Sequence, residues 1–393
     1  MHERIEHFDD AVIGSSPLML IHALELCRSG RRVVLLERNP RPGGAWQTAV
    51  VEGDGAAEST FETEIACHVI EAFPQVYGVL ARAAGVPFVR LDRQPIRIHP
   101  TGLRVPYFSR VLLAVSGLRM ALVYGMLAVR RALGRLDDPN RLINFRTKFR
   151  SFLRYQTPYL GRKELMEGPR DGFVDYLDKL VARTRAEGVV PRTLDVTGLD
   201  RDGASWRVTG ANGATLAATR VHVTTSTNLR PAGTGSYRAA PLQEVRRRAL
   251  VVCVARPAIV ENQTYVAFWK DPDVARISRI DVPGGAQEDD VRFLVEFHAA
   301  QQDAYAKMDR AACAQARMVR ARIVSVPQDA RILGQVDCME VRNVDQLPNG
   351  RIDDGLFGYH SSGNLAAGVA AWLAGHPGRA QTQGEASAWL KTG

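Results

Sequence analysis

The stretch that decides the fold is Phe8-Asp9-Asp10-Ala11-Val12-Ile13-Gly14-Ser15-Ser16-Pro17-Leu18-Met19. The apolar run at 11–13 predicts a strand, Gly14 to Pro17 predicts a sharp turn, and 18–27 predicts a helix. A second apolar run at 33–36 predicts another strand, which ends on Glu37. A strand, turn, helix and strand that end on an acid are the layout of a dinucleotide-binding βαβ unit.

The turn itself departs from the usual dinucleotide fingerprint at two of its three glycines. Gly14 stands where the strand must turn tightly, but Ser16 and Met19 occupy the second and third glycine positions. A serine side chain is small, and its hydroxyl can donate to a phosphate. Met19 predicts a helix that sits slightly further from the strand. The predicted helix still places N-terminal amides and a positive dipole end at the turn.

Two features after the turn support nucleotide binding. Glu37 stands where a carboxylate accepts hydrogen bonds from ribose hydroxyls and repels a 2′-phosphate, which favours FAD or NAD over NADP. An acid that merely faces solvent at a strand end is the alternative. Gly43-Gly44 supplies further backbone amides beside the turn, and Trp46 is predicted either to cover the ligand or to pack.

The composition bounds the class of protein. A chain of 393 residues with 46% apolar and 24% charged residues is long enough for two domains of an ordinary globular protein. The net charge of +9 favours acidic partners, such as phosphorylated ligands, anionic lipids or nucleic acid, without choosing among them. Five scattered cysteines without a CxxC pair argue against disulfides and a zinc site. With no secretory signal at the N-terminus, we expect a cytoplasmic protein.

The segment 107–135 is both apolar and basic, and its uncharged runs are too short to span a bilayer. We expect a pair of buried helices. An interfacial membrane helix or the wall of an apolar substrate channel is the alternative, so peripheral membrane contact through 107–135 is possible but not favoured. Positive charge also dominates 141–170, which predicts solvated helix faces or, alternatively, a patch for an anionic substrate.

The order of elements predicts an α/β fold with an α+β substrate domain. Strand and helix patterns typical of a parallel sheet occur at the start, middle and end of the chain, and 249–300 reads as antiparallel strands. We therefore expect a discontinuous Rossmann-like nucleotide-binding domain with an inserted substrate domain built on an antiparallel sheet plus helices. The segments predicted for the nucleotide-binding domain, which the resemblance given below implies to be FAD-binding, are 1–98, 166–235 and 345–393, and the predicted substrate-binding segments are 99–165 and 236–344.

A second helix N-terminus near the end of the chain is a further candidate for the site. Gly363-Asn364-Leu365 begins a helix of small residues, which either places its dipole at a flavin edge or simply packs. His68 and His360 are the only histidines in segments expected near such a site, although a lone histidine is usually structural. The sequence contains no GxSxG elbow, HExxH motif, P-loop or Cys/His metal cluster.

These motifs carry a resemblance to a known family. The strand that ends at Gly14, the Leu35-Leu36-Glu37 strand and Arg41-Pro42-Gly43-Gly44-Ala45-Trp46 resemble the N-terminus of a group of FAD-dependent enzymes. That group contains protoporphyrinogen oxidase, amine oxidases, phytoene desaturases and UDP-galactopyranose mutase, and the double glycine after the second strand is its mark. Weaker similarity in the same order covers most of the chain, including the hairpin from Tyr265 to Ile280, which contains Arg279.

The resemblance implies bound FAD and a substrate held over its isoalloxazine ring. It implies candidate catalytic residues at His68, Arg279 and His360. The cofactor contacts that it implies are Gly14, Ser15, Ser16, Pro17, Leu18, Glu37, Arg38, Gly43, Gly44, Ala45, Trp46, Val196, Gly363, Asn364 and Leu365.

The resemblance leaves three functions open. The first is an FAD-dependent oxidoreductase that takes a hydride from a C–N or C–C bond of a small, hydrophobic or aromatic substrate in secondary metabolism. The second is a redox-neutral flavin-dependent mutase or isomerase that acts on an anionic sugar nucleotide. The third is a degenerate, non-catalytic partner subunit with a flavoprotein fold. We expect a small-molecule substrate, no nucleic acid, and a monomer or homodimer.

Overall fold

The structure of the chain is a computed structural model. The residues that it describes are 5–44, 46, 48–53, 61–64, 74–90, 95–106, 110–136, 142, 145–146, 149, 153, 167–225, 227–241, 244–280, 289–298, 308–341, 347–359, 369 and 372.

The first sheet is built around a parallel core. Its strands are β1 (Glu6–Ile13), β2 (Val33–Glu37), β9 (Val190–Thr193), β12 (Thr215–Thr224) and β21 (Leu356–Tyr359). They lie in the order β9-β2-β1-β12-β21, and each neighbouring pair is parallel. The carboxyl ends of β1, β2 and β21 therefore meet at one edge, which is where ligands bind in parallel α/β sheets.

Antiparallel strands extend this sheet on the side of β12. They are β10 (Val196–Asp202), β11 (Ser205–Gly210), β13 (Leu229–Gly233), β14 (Ser236–Ala239) and β20 (Gly350–Asp353). The order runs β13-β14-β10-β11-β12, and β20 pairs with β21.

Three helices pack on the parallel core and bury one of its faces. They are α1 (Pro17–Arg28), α2 (Pro74–Ala84) and α4 (Phe173–Ala186). The apolar cluster between them and the sheet includes Met19 and Leu20 of α1 and Leu177 of α4, all buried. Met19, at the third glycine position of the fingerprint, is completely buried and fills part of this layer.

The second sheet is mostly antiparallel. Its strands are β3 (Thr48–Gly53), β4 (Phe61–Glu64), β6 (Ile96–Ile98), β7 (Arg104–Pro106), β15 (Glu244–Ala255), β16 (Tyr265–Phe268), β17 (Val274–Arg279), β18 (Asp290–Phe297) and β19 (Arg331–Val341). They lie in the order β4-β3-β19-β15-β18-β17-β16-β6-β7, and among these described neighbours only the β16–β6 pair is parallel. Helix α5 (Arg310–Arg320) packs on one face, where its Met318 joins a buried apolar cluster.

The remaining elements are short, apart from one long helix. Strands β5 (Phe88–Arg90) and β8 (Glu167–Pro169) pair with each other, and 3-10 turns occupy Arg256–Ala258 and Pro327–Asp329. The long helix is α3 (Arg110–Ala132).

These two sheets confirm the predicted fold class. The predicted domain boundaries stay a prediction, but the sheets divide the strands slightly differently. Strands β3, β4 and β6 belong to the second sheet, although the predicted boundaries assign 48–98 to the cofactor-binding domain. The chain thus crosses between the sheets soon after Gly44.

The expected pair of buried helices at 107–135 is wrong. A single helix, α3, covers most of that segment, and several of its large apolar side chains are exposed. The pattern of apolar residues indicated a helix, but it could not show which face of the helix meets the rest of the protein. Within the described part of the chain, no helix combines the length and the apolar character that crossing a membrane requires.

A chain of buried polar side chains crosses the parallel core. Asp10, in the middle of β1, is completely buried. It pairs with Arg31, with Arg220 Nε at 3.3 Å, and with His222 Nε2 at 2.7 Å. The charge of this buried carboxylate is therefore matched by guanidinium groups that reach the surface.

The same chain continues from His222 to the C-terminal part of the protein. Trp372 Nε1 donates to His22 Nδ1 at 3.0 Å, and because an indole N–H can only donate, the His22 ring proton must lie on Nε2. That nitrogen lies 3.1 Å from His222 Nδ1, so His222 carries its own proton on Nε2 and donates it to Asp10. Burial, and then the charge of Asp10, raise the pKa of Tyr359, whose protonated hydroxyl lies 3.0 Å from His222 Nδ1.

We predict that Asp10→Asn lowers the free energy of unfolding by about 3 kcal/mol, because it leaves Arg31 and Arg220 without the carboxylate that compensates them. Urea-induced unfolding followed by circular dichroism measures the change. The matched control is Asp178→Asn, which removes an exposed carboxylate 3.4 Å from Arg41 and should cost less than about 1 kcal/mol. Equal losses in the two variants would contradict the prediction.

Candidate cofactor site

The predicted turn lies at the carboxyl edge of the parallel core. Gly14 follows β1 directly, and its N–H donates to the carbonyl oxygen of Leu36 at 2.8 Å. Its φ of +91° is in the region that favours glycine, and a Cβ at this position would meet nothing within 4 Å. The backbone geometry, and not crowding, therefore explains the glycine at 14.

One buried hydroxyl ties together the turn, the acid and the double glycine. Ser15 is completely buried, and its N–H and Oγ donate to Glu37 Oε2 at 3.0 and 2.5 Å. The same Oγ accepts a hydrogen bond from Gly43 N at 2.8 Å. We call Ser15, Glu37 and Gly43 the Ser15 clamp. It holds three separate sequence motifs at one place.

The Glu37 carboxylate keeps some capacity to bind a ligand. Its Oε1 accepts from Asn39 N at 3.0 Å, and its Oε2 is used twice by Ser15. Since each carboxylate oxygen offers about two lone-pair sites, Oε2 is filled by these two bonds and Oε1 can accept one more. The carboxylate can thus receive one ribose hydroxyl through Oε1.

The two glycines of the following loop pack against the turn and α4. A Cβ on Gly43 would lie 2.6 Å from Leu177 Cδ2, and a Cβ on Gly44 would lie 3.1 Å from Ser16 Cα. Both glycines also have positive φ, at +145° and +57°. A double glycine is required here because any side chain would push the loop away from the turn.

The start of α1 fits a pyrophosphate. Ser16 is the N-cap, but its side chain makes no capping hydrogen bond, and Pro17 follows at the first helical position. The first-turn amides of Leu18 and Met19 are therefore left without a side-chain cap, and both residues are buried. A phosphate group would accept from such amides and would interact favourably with the helix dipole.

Three other predicted cofactor residues lie around this cradle. Arg38 follows Glu37 and is exposed. Val196 begins β10, two residues after Leu194, whose N–H donates to the carbonyl oxygen of Glu37 at 2.8 Å. Trp46 packs against Phe173 and Tyr176, with ring centroids 4.9 and 5.9 Å apart, which favours the packing alternative for its indole.

Of the three predicted catalytic residues, Arg279 lies in the described part of the chain. Arg279 lies at the end of β17, where its Nη1 donates to Asn262 Oδ1 at 2.8 Å. No described contact joins it to the Ser15 clamp. The predictions for Ala45, His68, His360, Gly363, Asn364 and Leu365 lie outside the described residues.

The structure also shows a polar group that sequence reasoning missed. Arg276 and Glu296 form an ion pair across β17 and β18, and Glu296 is buried. Ser278, on the same face of β17, is buried, and its hydroxyl has no hydrogen-bond partner within the described part of the chain. Alternation along β17 could have grouped Arg276 with Ser278, but the partner strand was not predictable. A buried hydroxyl of this kind is a candidate ligand contact.

We predict that Ser15→Ala lowers the free energy of unfolding by about 2 kcal/mol, because it leaves the Gly43 N–H without its acceptor in a buried place. Denaturant unfolding measures the effect. The control is Ser29→Ala, which removes an exposed hydroxyl that donates to the Leu26 carbonyl oxygen. We expect a loss below about 0.5 kcal/mol there, and a similar loss in both variants would contradict a special role for Ser15.

We predict that Gly43→Ala destabilises the protein more than Gly30→Ala does. Gly30 also has positive φ, at +80°, but a Cβ there meets nothing within 4 Å, so its substitution should cost about 1 kcal/mol. At Gly43 the clash with Leu177 adds about 1 to 3 kcal/mol. The double variant Gly43→Ala/Leu177→Ala isolates that clash, and a double-mutant cycle without favourable coupling would contradict the prediction.

Comparisons with known proteins agree with this geometry. Residues 12–83 match the family model of an NAD(P)-binding Rossmann-like domain. No curated protein sequence matches the chain significantly. Cyclohexylamine oxidase from Brevibacterium oxydans IH-35A is a similar solved structure, with a TM-score of 0.61 and 12% identity over 93% of this chain and 98% of that one.

Two further solved structures are similar. Putrescine oxidase, in a wild-type form bound to putrescine, has a TM-score of 0.59 and 12% identity over 98% of this chain and 99% of its own. A RAB GDI from Plasmodium falciparum has a TM-score of 0.51 and 11% identity over 94% of this chain and 97% of its own. The resemblance to the FAD-dependent group is thereby confirmed at the level of the fold. This chain is similar in fold to putrescine oxidase and cyclohexylamine oxidase, and its residues 12–83 match the family model of an NAD(P)-binding Rossmann-like domain.

Proposed function

We propose that the chain is a flavin-dependent oxidoreductase that binds FAD and removes a hydride from a small organic substrate. The observation that carries the proposal is the Ser15 clamp, which holds the turn, the acid and the double glycine as one cradle at the carboxyl edge of the sheet. In that cradle the amides at the start of α1 would receive the pyrophosphate, and Glu37 Oε1 would receive a ribose hydroxyl.

The solved structures with the same fold support a C–N bond as the site of oxidation. Putrescine oxidase and cyclohexylamine oxidase are both named for amines, and the first is bound to putrescine. We therefore favour a small amine with a hydrophobic or aromatic part, while a C–C bond remains the second choice. Bound flavin supplies the hydride acceptor, and the protein orients the substrate and excludes water.

The second sheet contains a buried polar group that suits such a substrate. The face of β17 and β18 that lies away from α5 combines Leu294 with the Arg276–Glu296 pair and the Ser278 hydroxyl. Apolar walls with a few polar groups are typical of small-molecule sites. On this proposal, Ser278 contacts the substrate and the ion pair fixes its polar end.

We predict that the purified protein is yellow and releases FAD on denaturation, as measured by absorbance in the flavin bands and mass spectrometry of the released cofactor. Glu37→Gln should lower the affinity for FAD at least tenfold, a loss of about 1.4 kcal/mol. A glutamine amide would place an N–H2 group against the Ser15 donors or remove the ribose acceptor. Asp178→Asn, on the exposed face of α4, is the control and should keep its FAD.

Anaerobic titration with a panel of amines then tests the reaction. Bleaching of the flavin by an amine supports the oxidoreductase. Activity on a sugar nucleotide only after reduction with dithionite would replace it by the mutase. A colourless protein that takes up no added FAD would overturn the proposal and leave the non-catalytic partner subunit.

A further inference from the structure

Helix α3 exposes a continuous apolar face. The apolar face of α3 consists of Val115 (57%), Leu118 (64%), Leu122 (66%), Met126 (55%), Val129 (58%) and Leu133 (61%), and each of these side chains is more than half exposed. They follow one another at intervals of three or four residues, and the last of them lies one residue past the end of the helix. At about 100° per helical residue, all six lie within an arc of about 80°.

The opposite side of α3 attaches it to the rest of the chain. Leu127 is buried, with 4% of its surface exposed, and the Tyr124 ring stacks on Phe149 with centroids 5.9 Å apart. The amphipathic pattern of a surface helix is therefore reversed, since its larger apolar side chains point outward. Single exposed apolar residues are ordinary, but a contiguous stripe of this kind marks an interaction surface.

The charges around this face indicate the occupant. No Asp or Glu occurs between Arg110 and Leu136, whereas arginines stand at 110, 119, 130, 131 and 135. Arg119 and Arg130 flank one side of the apolar face, and both are exposed. No described ion pair engages Arg119, Arg130, Arg131 or Arg135. An apolar face with only positive charge beside it complements an anionic lipid surface, because the apolar side chains can insert among the lipid tails while the arginines contact the anionic headgroups.

A second copy of the chain is a poorer occupant. Two apolar faces packed against each other would bring their arginines together without any acid from the same segment. We propose that α3 binds the interface of an anionic lipid bilayer, with its axis in the membrane plane. The proposal concerns a surface outside the candidate cofactor site and does not depend on flavin binding.

The test uses the full chain and sedimentation with vesicles. Vesicles of phosphatidylcholine alone are compared with vesicles of equal parts phosphatidylcholine and phosphatidylserine, at low and high salt. We expect the protein to sediment with the anionic vesicles at low salt, to bind them at least tenfold more weakly at high salt, and to bind phosphatidylcholine weakly at most.

Matched variants assign the binding to α3. Leu118→Glu/Leu122→Glu should weaken binding to anionic vesicles at least tenfold, because it places carboxylates in the apolar face. Leu103→Glu is the control, since Leu103 is equally exposed at 61% but lies in the turn before β7. Arg119→Gln/Arg130→Gln should weaken binding and its salt dependence, because these two arginines flank the apolar face, whereas Arg185→Gln, on the exposed side of α4, should not. Circular dichroism checks that each variant folds.

Three outcomes would overturn the proposal. The first is a wild-type protein that binds neither kind of vesicle. The second is a Leu118→Glu/Leu122→Glu variant that folds and binds as the wild type does. The third is a dimer, seen by analytical ultracentrifugation, that this variant dissociates, because the apolar face would then belong to a second copy of the chain.

Discussion

The structure of the cofactor cradle depends on one constraint, the buried hydroxyl of Ser15. The Ser15 O–H donates to Glu37 Oε2 at 2.5 Å, and the Ser15 Oγ accepts from Gly43 N at 2.8 Å. Three segments that are distant in sequence are therefore joined by direct hydrogen bonds. Burial makes these bonds important, since an unsatisfied amide or carboxylate in this position costs free energy. The position of the loop after β2, and with it the start of the second sheet at β3, follows from this contact.

The same geometry explains how the turn tolerates a missing glycine. A side chain at position 16 occupies space that the dinucleotide fingerprint normally leaves empty. Gly44 lies against Ser16 and provides that space, because a Cβ on Gly44 would approach the Ser16 backbone to 3.1 Å. The double glycine therefore does more than add amides to the site. Because Gly44 has no side chain, it leaves room for Ser16 at a position where the fingerprint has glycine.

A shared fold does not decide the reaction. This chain is similar in fold both to putrescine oxidase and to a RAB GDI, so function has to be argued from the residues of the site. On the function proposed above, the cradle receives a dinucleotide, and the ion pair of Arg276 and Glu296 in the second sheet receives a polar group of the substrate. The apolar face of α3 is a separate feature, since its residues point away from the protein and do not line either place.

The local pattern of the sequence determined the strand–turn–helix–strand unit, the acid at its end and the two-sheet fold class, because periodicity, turn residues and capping act over a few neighbouring residues. The role of Gly14 was also readable, since a tight turn after a strand requires a backbone conformation that glycine adopts, whereas the contacts of the double glycine with the turn and α4 were not. Only the tertiary structure decided that Ser15 and not Ser16 carries the linking hydroxyl, that Asp10 is held by His222 and two arginines, and that α3 turns its apolar face outward. These features depend on contacts between residues far apart in the chain, and a helical or strand period specifies a face without specifying what that face meets.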